Sequence, residues 1–236
     1  MLPTHLEDGQ GKASDQAYAR LRQMIVSLKL EPGSFIDEKS ISQQLELGRT
    51  PVREALLRLA NQRLVEILPR KGTVVTPIRF QDLRSVEELR WHLETLGARW
   101  AAERIEPEEL RELKKLISNA ESGAYTDVDD WDVEVDRSFH AQLAAAAKNV
   151  FLAENLARLF DHSVRLMYAT RSSIAAAIEE IGEYRAILEA IEAGAADDAA
   201  DAMRRHLLAS REQIARELGL SLSAESRADD LVALPK

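Results

Sequence analysis

A proline close to the start of a run of helix formers, Arg49-Thr50-Pro51-Val52-Arg53-Glu54-Ala55-Leu56, constrains this chain more than any other feature. Proline lacks a backbone N–H and holds φ near the helical value, so it suits the first turn of a helix and little beyond it. The helix must therefore begin at about Arg49. From that start Val52, Leu56 and Leu59 share one face, while Arg49 and Arg53, four apart, share another. The apolar face can grip a core, and the two arginines then stand at the N-terminal end. That end of a helix-turn-helix enters the major groove, where arginine donates two hydrogen bonds to guanine O6 and N7 or pairs with phosphate.

The flanks complete the unit. Tyr18, Leu21, Ile25 and Leu28 recur at helical spacing and predict a first helix over Ser14 to Leu28, which Pro32-Gly33 ends. Asp37 can cap a short second helix that turns Ile41 and Leu45 inward, and Leu47-Gly48 makes the turn into the third. After Leu59 the pattern changes. Leu64-Val65-Glu66-Ile67 and Thr73-Val74-Val75-Thr76 are β-rich and flank Pro69-Arg70-Lys71-Gly72, which predicts a hairpin wing tipped by Arg70 and Lys71.

Charge separates this region from the rest. Through Pro77 there are 11 Lys and Arg against 9 Asp and Glu; beyond it there are 20 against 31, giving the net −9 of the whole. Only the N-terminal part suits a polyanion, and a basic face matters more than a basic total. With 236 residues the chain has room for two ordinary domains. The absence of cysteine excludes disulfides and thiolate chemistry. No run approaches the ~20 apolar residues of a membrane span, and Met1 to Asp8 lacks the basic and apolar regions of a signal peptide. A cytoplasmic protein is expected.

From Phe80 to about Leu220 the pattern is helical almost throughout, rich in Ala, Leu, Glu and Arg. Helices are predicted near 80–104, 107–122, 129–147, 150–170, 173–193 and 196–219, separated by Glu106-Pro107, Ser122-Gly123, Lys148-Asn149, Arg171-Ser172-Ser173 and Gly194. The expected fold is mainly α: a winged helix-turn-helix over 14–77 and an all-α antiparallel bundle over 78–220. Residues 1–13 and 221–236 read as a flexible N-terminus and a flexible tail.

Over Ala17 to Pro77 the chain resembles the N-terminal domain of the GntR family of bacterial transcription regulators. The likeness rests on the phrase RTPVREAL, the apolar helix that follows, the strand start at Leu64-Val65 and the wing glycine Gly72, all in order. It implies DNA contacts from Lys39 in the second helix, from Arg49, Thr50 and Arg53 at the start of the recognition helix, and from Lys71 and Gly72 in the wing. One position departs from the family pattern. Gly48 stands where a hydroxyl residue is usual before the first arginine, so one phosphate contact is lost.

The helical region resembles the FCD effector domain of the FadR subgroup within the same family. The likeness lies in Asp136 and His140, in Glu179 to Leu188 and in Arg204-Arg205-His206-Leu207. It implies a divalent metal, zinc or nickel, on Asp136, His140 and His206, with Tyr184 at the place of a further histidine. A neutral phenol, with a pKa near ~10, replaces imidazole poorly, but three protein ligands with an open position are an accepted arrangement. Arg90, in Glu88 to Glu94, matches an inward arginine that faces an acidic effector, and its guanidinium fork fits a carboxylate. Tyr184 is a second candidate effector contact. Simpler roles fit the same residues: Asp136 with His140 as a helical ion pair, and Arg90 as a salt bridge to Glu87 or Glu94. Trp91, Trp100 and Trp131 read as core.

The implied protein is a repressor that binds a pseudo-palindromic operator in double-stranded DNA as a homodimer, with a small organic acid changing its affinity. Two other classes are open at this level. A metal-dependent hydrolase could use Asp136, His140 and His206, and a winged helix could serve only to bind proteins.

Overall fold

Helix α3 (Arg49–Asn61) starts two residues ahead of Pro51, so the missing N–H falls where no intrahelical bond is due. In this computed structural model, which describes residues 5–122, 135–170 and 174–217, the chain divides into two units, Met1–Phe80 and Gln81–Lys236.

In the first unit α1 (His5–Val26) and α3 pack together, with α2 (Glu38–Leu45) against α3. Ala17, Leu21 and Ile25 of α1 meet Val52, Ala55, Leu56 and Leu59 of α3 in one fully buried core. Burying a leucine or isoleucine contributes ~1.5–3 kcal/mol, so this shared face holds the three helices in place. α1 is longer at its start and shorter at its end than the Ser14 to Leu28 pattern implies, and it takes in residues 5–13. Its end is set by Leu28, at φ +59°, where Leu30 N–H bonds the Met24 carbonyl at 2.9 Å and closes the last turn.

The wing is a three-stranded antiparallel sheet in the order β1 (Phe35–Ile36), β3 (Gly72–Val75), β2 (Val65–Leu68). The hairpin register sets Val65 opposite Val75 and Leu68 opposite Gly72. β1 was not legible beforehand. Its two residues are too few to show alternation, and Phe35 and Ile36 pair with Val74 and Thr73 because Gly33, at φ +83°, turns the chain back onto the hairpin.

The second unit comprises α4 (Phe80–Arg104), α5 (Pro107–Glu121), α6 (Arg137–Ala146), α7 (Val150–Thr170), α8 (Ile174–Glu192) and α9 (Ala196–Glu217). α5 has Pro107 at its first position and a Glu109 carboxylate accepting from the Glu106 N–H at 2.9 Å. α8 ends on Gly194, at φ +64°, with Ala195 N–H bonded to the Ala190 carbonyl at 2.9 Å. Ala98 and Ala101 of α4, Leu113 of α5, Phe139 and Leu143 of α6, Ile187 and Ile191 of α8 and Met203 of α9 form the main core. The chain enters α6 through π-type backbone at Val135 and Asp136, an irregularity common at functional positions. The predicted start of this helix near 129, Trp131 and the 221–236 tail lie outside the described residues.

Candidate nucleic-acid interface and metal centre

Lys39, Arg49, Thr50, Arg53, Lys71 and Gly72 are all exposed. The core residues of α3 bury Pro51, Val52 and Ala55, which turns Arg49, Thr50 and Arg53 outward at the helix start. There the free N–H groups and the helix dipole favour a phosphate. Gly48 caps α3 with no side-chain hydrogen bond. Arg53 is not bare: its Nε donates to Glu38 Oε2 at 2.7 Å, an exposed contact of the kind worth ~0–1 kcal/mol. Arg70 lies at φ +63° and Gly72 at φ +110° in the wing turn, where Lys71 N–H closes on the Leu68 carbonyl at 3.0 Å.

The helical unit brings Asp136, His140 and His206 together, with one donor atom from each within 4.8 Å of the others. All three are buried. Asp136 and His140 are one turn apart entering α6, and His206 comes across from α9. His140 Nε2 lies 3.2 Å from His206 Nε2 and 3.5 Å from Asp136 Oδ1. Behind the rings, His140 Nδ1 pairs with Glu94 Oε2, and His206 Nδ1 lies 2.8 Å from Glu183 Oε2. An ionised carboxylate only accepts, so each Nδ1 turns its proton toward a glutamate and each Nε2 faces the common centre; in the metal-free chain His140 is protonated at Nε2 as well, and losing that proton would free its lone pair for an ion. Histidines that ligate metals are held this way, with a carboxylate fixing tautomer and ring.

Tyr184, on α8, is fully buried. Its hydroxyl donates to Asp136 Oδ1 at 2.5 Å and its ring stacks on Phe139 with centroids 4.2 Å apart. It orients one carboxylate oxygen of the cluster.

Arg90 is likewise buried. Its Nε donates to Glu94 Oε1 at 2.6 Å and its Nη1 to Glu87 Oε1 at 3.2 Å, while the guanidinium lies over the Phe160 ring. The salt-bridge alternative thus holds for its partners, but in the interior instead of on a solvated face. Ser163 of α7 also donates to Glu87, at 2.9 Å. Burial alone would push the Glu94 carboxyl up; Arg90 first and His140 next outweigh it and hold it well below the usual carboxylate range. Burial would push His140 down, yet Glu94 and Asp136 lift it to about 9. Asp136 is held low by hydrogen bonds and charge from His140, and by Tyr184, against its burial.

From sequence Glu94 is read only as a salt-bridge partner of Arg90, and neither it nor Glu183 as a carboxylate behind a histidine. Glu94 sits one turn after Arg90 and Glu183 immediately precedes Tyr184, but nothing in a helical pattern distinguishes a carboxylate behind a histidine from one in solvent. His92 is exposed and stands outside the cluster.

The donor set fits a divalent ion. Four carboxylates, Glu87, Glu94, Asp136 and Glu183, gather about one guanidinium and two imidazoles, whose Nε2 atoms converge among them. A 2+ charge at that centre answers both imbalances.

The comparisons with known proteins agree with both halves. The FCD domain matches residues 85–209, and the description "Bacterial regulatory proteins, gntR family" matches residues 13–75. The chain belongs to the GntR family of bacterial transcription regulators. It is 26% identical over 194 residues to the HTH-type transcriptional repressor RspR of Escherichia coli K12, covering 82% of this chain and 85% of that one. It is 25% identical over 204 residues to the repressor GlaR of the same organism, covering 81% and 90%. The solved structure of E. coli McbR/YncC superposes with a TM-score of 0.78 at 22% identity over 87% of this chain and 98% of that one, which shows a shared fold. This GntR-family chain is therefore a DNA-binding regulator and not an enzyme. Neither the hydrolase nor the protein-binding alternative finds support among these relatives. No described helix is long and apolar enough to cross a membrane.

Proposed function

We propose that this GntR-family regulator is a cytoplasmic repressor of the FadR subgroup that binds a pseudo-palindromic operator as a homodimer. Residues 14–77 supply the DNA contacts through Lys39, Arg49, Thr50, Arg53, Lys71 and Gly72. Residues 78–220 hold a small organic acid effector and the dimer contact. A single recognition helix covers only a few base pairs, so useful specificity calls for two copies on related half-sites. The names of RspR and GlaR support repression as the direction of control.

The observation that carries the effector half is the convergence of two Nε2 atoms and a carboxylate in a buried, acid-rich centre. Asp136, His140 and His206 would hold a divalent ion, zinc or nickel, and such an ion supplies a positive pole able to take a carboxylate oxygen. Arg90 and Tyr184 act on this site through the groups they grip: Arg90 fixes Glu94 behind His140, and Tyr184 fixes Asp136. An effector that binds one arrangement of the protein better than another shifts the population, and operator affinity falls with it.

Selection from random duplex DNA tests this reading. The expected product is a two-fold symmetric site bound by a dimer in light scattering, with half-sites about one helical turn apart. A selected site without symmetry, bound by a monomer, would contradict it.

A further inference from the structure

Glu38 of α2 reaches across to Arg53 of α3, and the packing of α2 decides where its carboxylate sits. Asp37 caps α2 by accepting from the Lys39 N–H at 3.0 Å, which makes Glu38 the first helical residue. Glu38, Ile41 and Leu45 then recur at helical spacing on one face, and Ile41 and Leu45 are buried in the core that holds α3. The far end of α2 is tied down as well. Arg20 Nη1 donates to the Leu45 carbonyl at 3.3 Å, and Ser42 Oγ to the Leu47 carbonyl at 2.5 Å. Glu38 is therefore half-buried between exposed neighbours, Asp37 and Lys39, and its carboxylate is directed at the recognition helix.

That carboxylate takes the Nε–H of Arg53 at 2.7 Å, and among the described residues no group takes the Nη1 and Nη2 donors. An arginine can grip guanine O6 and N7 side-on, with Nε and one Nη, or end-on, with both Nη groups. Glu38 blocks the first and leaves the second. It also offsets the charge that would draw Arg53 to a phosphate. In the free protein an exposed pair contributes little, but DNA displaces the water around it, and the lower local dielectric strengthens it. An anion at a surface that must meet phosphates weakens binding to every duplex, and this loss is offset only where Arg53 finds its guanine.

We propose that Glu38 is a positioning residue for sequence readout: it holds the Arg53 guanidinium end-on to a guanine of each half-site and keeps it off the phosphates. That Arg53 contacts DNA rests on the reading above; the role of Glu38 rests on the pair and on the packing of α2.

Equilibrium titration of the full chain with its selected operator and with a scrambled duplex, over a range of salt, provides the test for Glu38→Gln, Glu38→Asp, Arg53→Ala and the double variant Glu38→Gln/Arg53→Ala. The pair is exposed and glutamine keeps the shape of glutamate, so folding is not at stake. Glu38→Gln should bind the scrambled duplex more tightly, with a salt slope steeper by up to about one, yet its preference for the operator should fall about tenfold. Glu38→Asp keeps the charge on a shorter stem, so preference should fall without that change in slope. With Arg53→Ala in place, Glu38→Gln should change preference no further. Unchanged preference in both Glu38 variants would reduce Glu38 to a repelling charge and overturn the proposal. A fall of equal size with Arg53→Ala already in place would make Glu38 a base contact in its own right and overturn it too. The two claims separate in the same data: Arg53→Ala with intact operator preference defeats the reading of Arg53, whereas loss in Arg53→Ala with none in the Glu38 variants defeats this proposal alone.

Discussion

Glu94 stands between Arg90 and His140, one carboxylate oxygen on each, and so ties a buried guanidinium to a candidate metal ligand. The consequence is that Glu94 occupies the Nδ1 side of His140 and leaves Nε2 as the nitrogen that would meet an ion. Glu94→Gln keeps the shape but removes the charge, and should weaken zinc binding by about 10–100-fold. Glu94→Ala also strips Arg90 of its closest partner in the interior and should cost about 3–5 kcal/mol of stability. Competition with a chelating dye and chemical denaturation measure the two effects. Unchanged zinc affinity in Glu94→Gln would remove Glu94 from the site.

Tyr184 marks the difference between this centre and one with a third imidazole. Tyr184→His should tighten zinc binding and raise Tm in the presence of zinc, since ligand binding to the native state stabilises it. Tyr184→Phe removes only the hydrogen bond to Asp136 and should cost about 1–3 kcal/mol through a less satisfied buried carboxylate. A melting temperature for Tyr184→His that zinc does not raise beyond its effect on the unmodified chain would speak against a site at this position.

Protons and metal compete for His140. Burial works against its charged form, but Glu94 and then Asp136 raise its pKa to about 9, so the metal-free chain carries this proton at neutral pH. A cation must expel it. Apparent zinc affinity should therefore rise with pH, about tenfold per unit up to about pH 9, and calorimetry in buffers of differing protonation enthalpy should register about one proton released near pH 7. An affinity that does not change over this range would contradict the assignment of His140 as a ligand.

The recognition helix was legible because Pro51 fixes its start and the apolar period of Val52, Leu56 and Leu59 fixes its buried face. The helical unit was legible for the same reason: caps at Glu106-Pro107 and Gly194 punctuate long amphipathic runs. Asp136, His140 and His206 could be paired only by resemblance, since α6 and α9 meet across a distance of 66 residues that no local pattern spans. The support that Glu94 and Glu183 give to the histidines stayed hidden for a further reason. A glutamate supports a histidine only through tertiary contact, and in sequence it looks like any other helix-favouring residue. β1 escaped because its partner lies in a strand almost forty positions away.

At Gly48 the recognition helix lacks the hydroxyl cap its relatives are expected to have. The backbone there, at φ −63°, suits any residue, and an added Cβ would meet the Pro51 ring at Cδ, 3.5 Å, and Cγ, 3.8 Å, both ordinary contacts. Gly48→Ser should fit, add a few tenths of a kcal/mol to stability and offer one more donor to phosphate. Denaturation and DNA titration should both shift upward. Weaker DNA binding by this variant would mean that the α3 N-terminus does not face the backbone.

Fluorescence anisotropy of the full chain on its selected operator, against a scrambled duplex of equal length and over a range of salt, tests the central claim most directly. The account predicts preference for the operator, with Arg49→Ala and Arg53→Ala each losing roughly 1–3 kcal/mol of it. Lys71→Ala should instead weaken both duplexes and lower the salt slope by about one. Equal affinity for operator and scrambled DNA, unchanged by Arg49→Ala and Arg53→Ala, would contradict it.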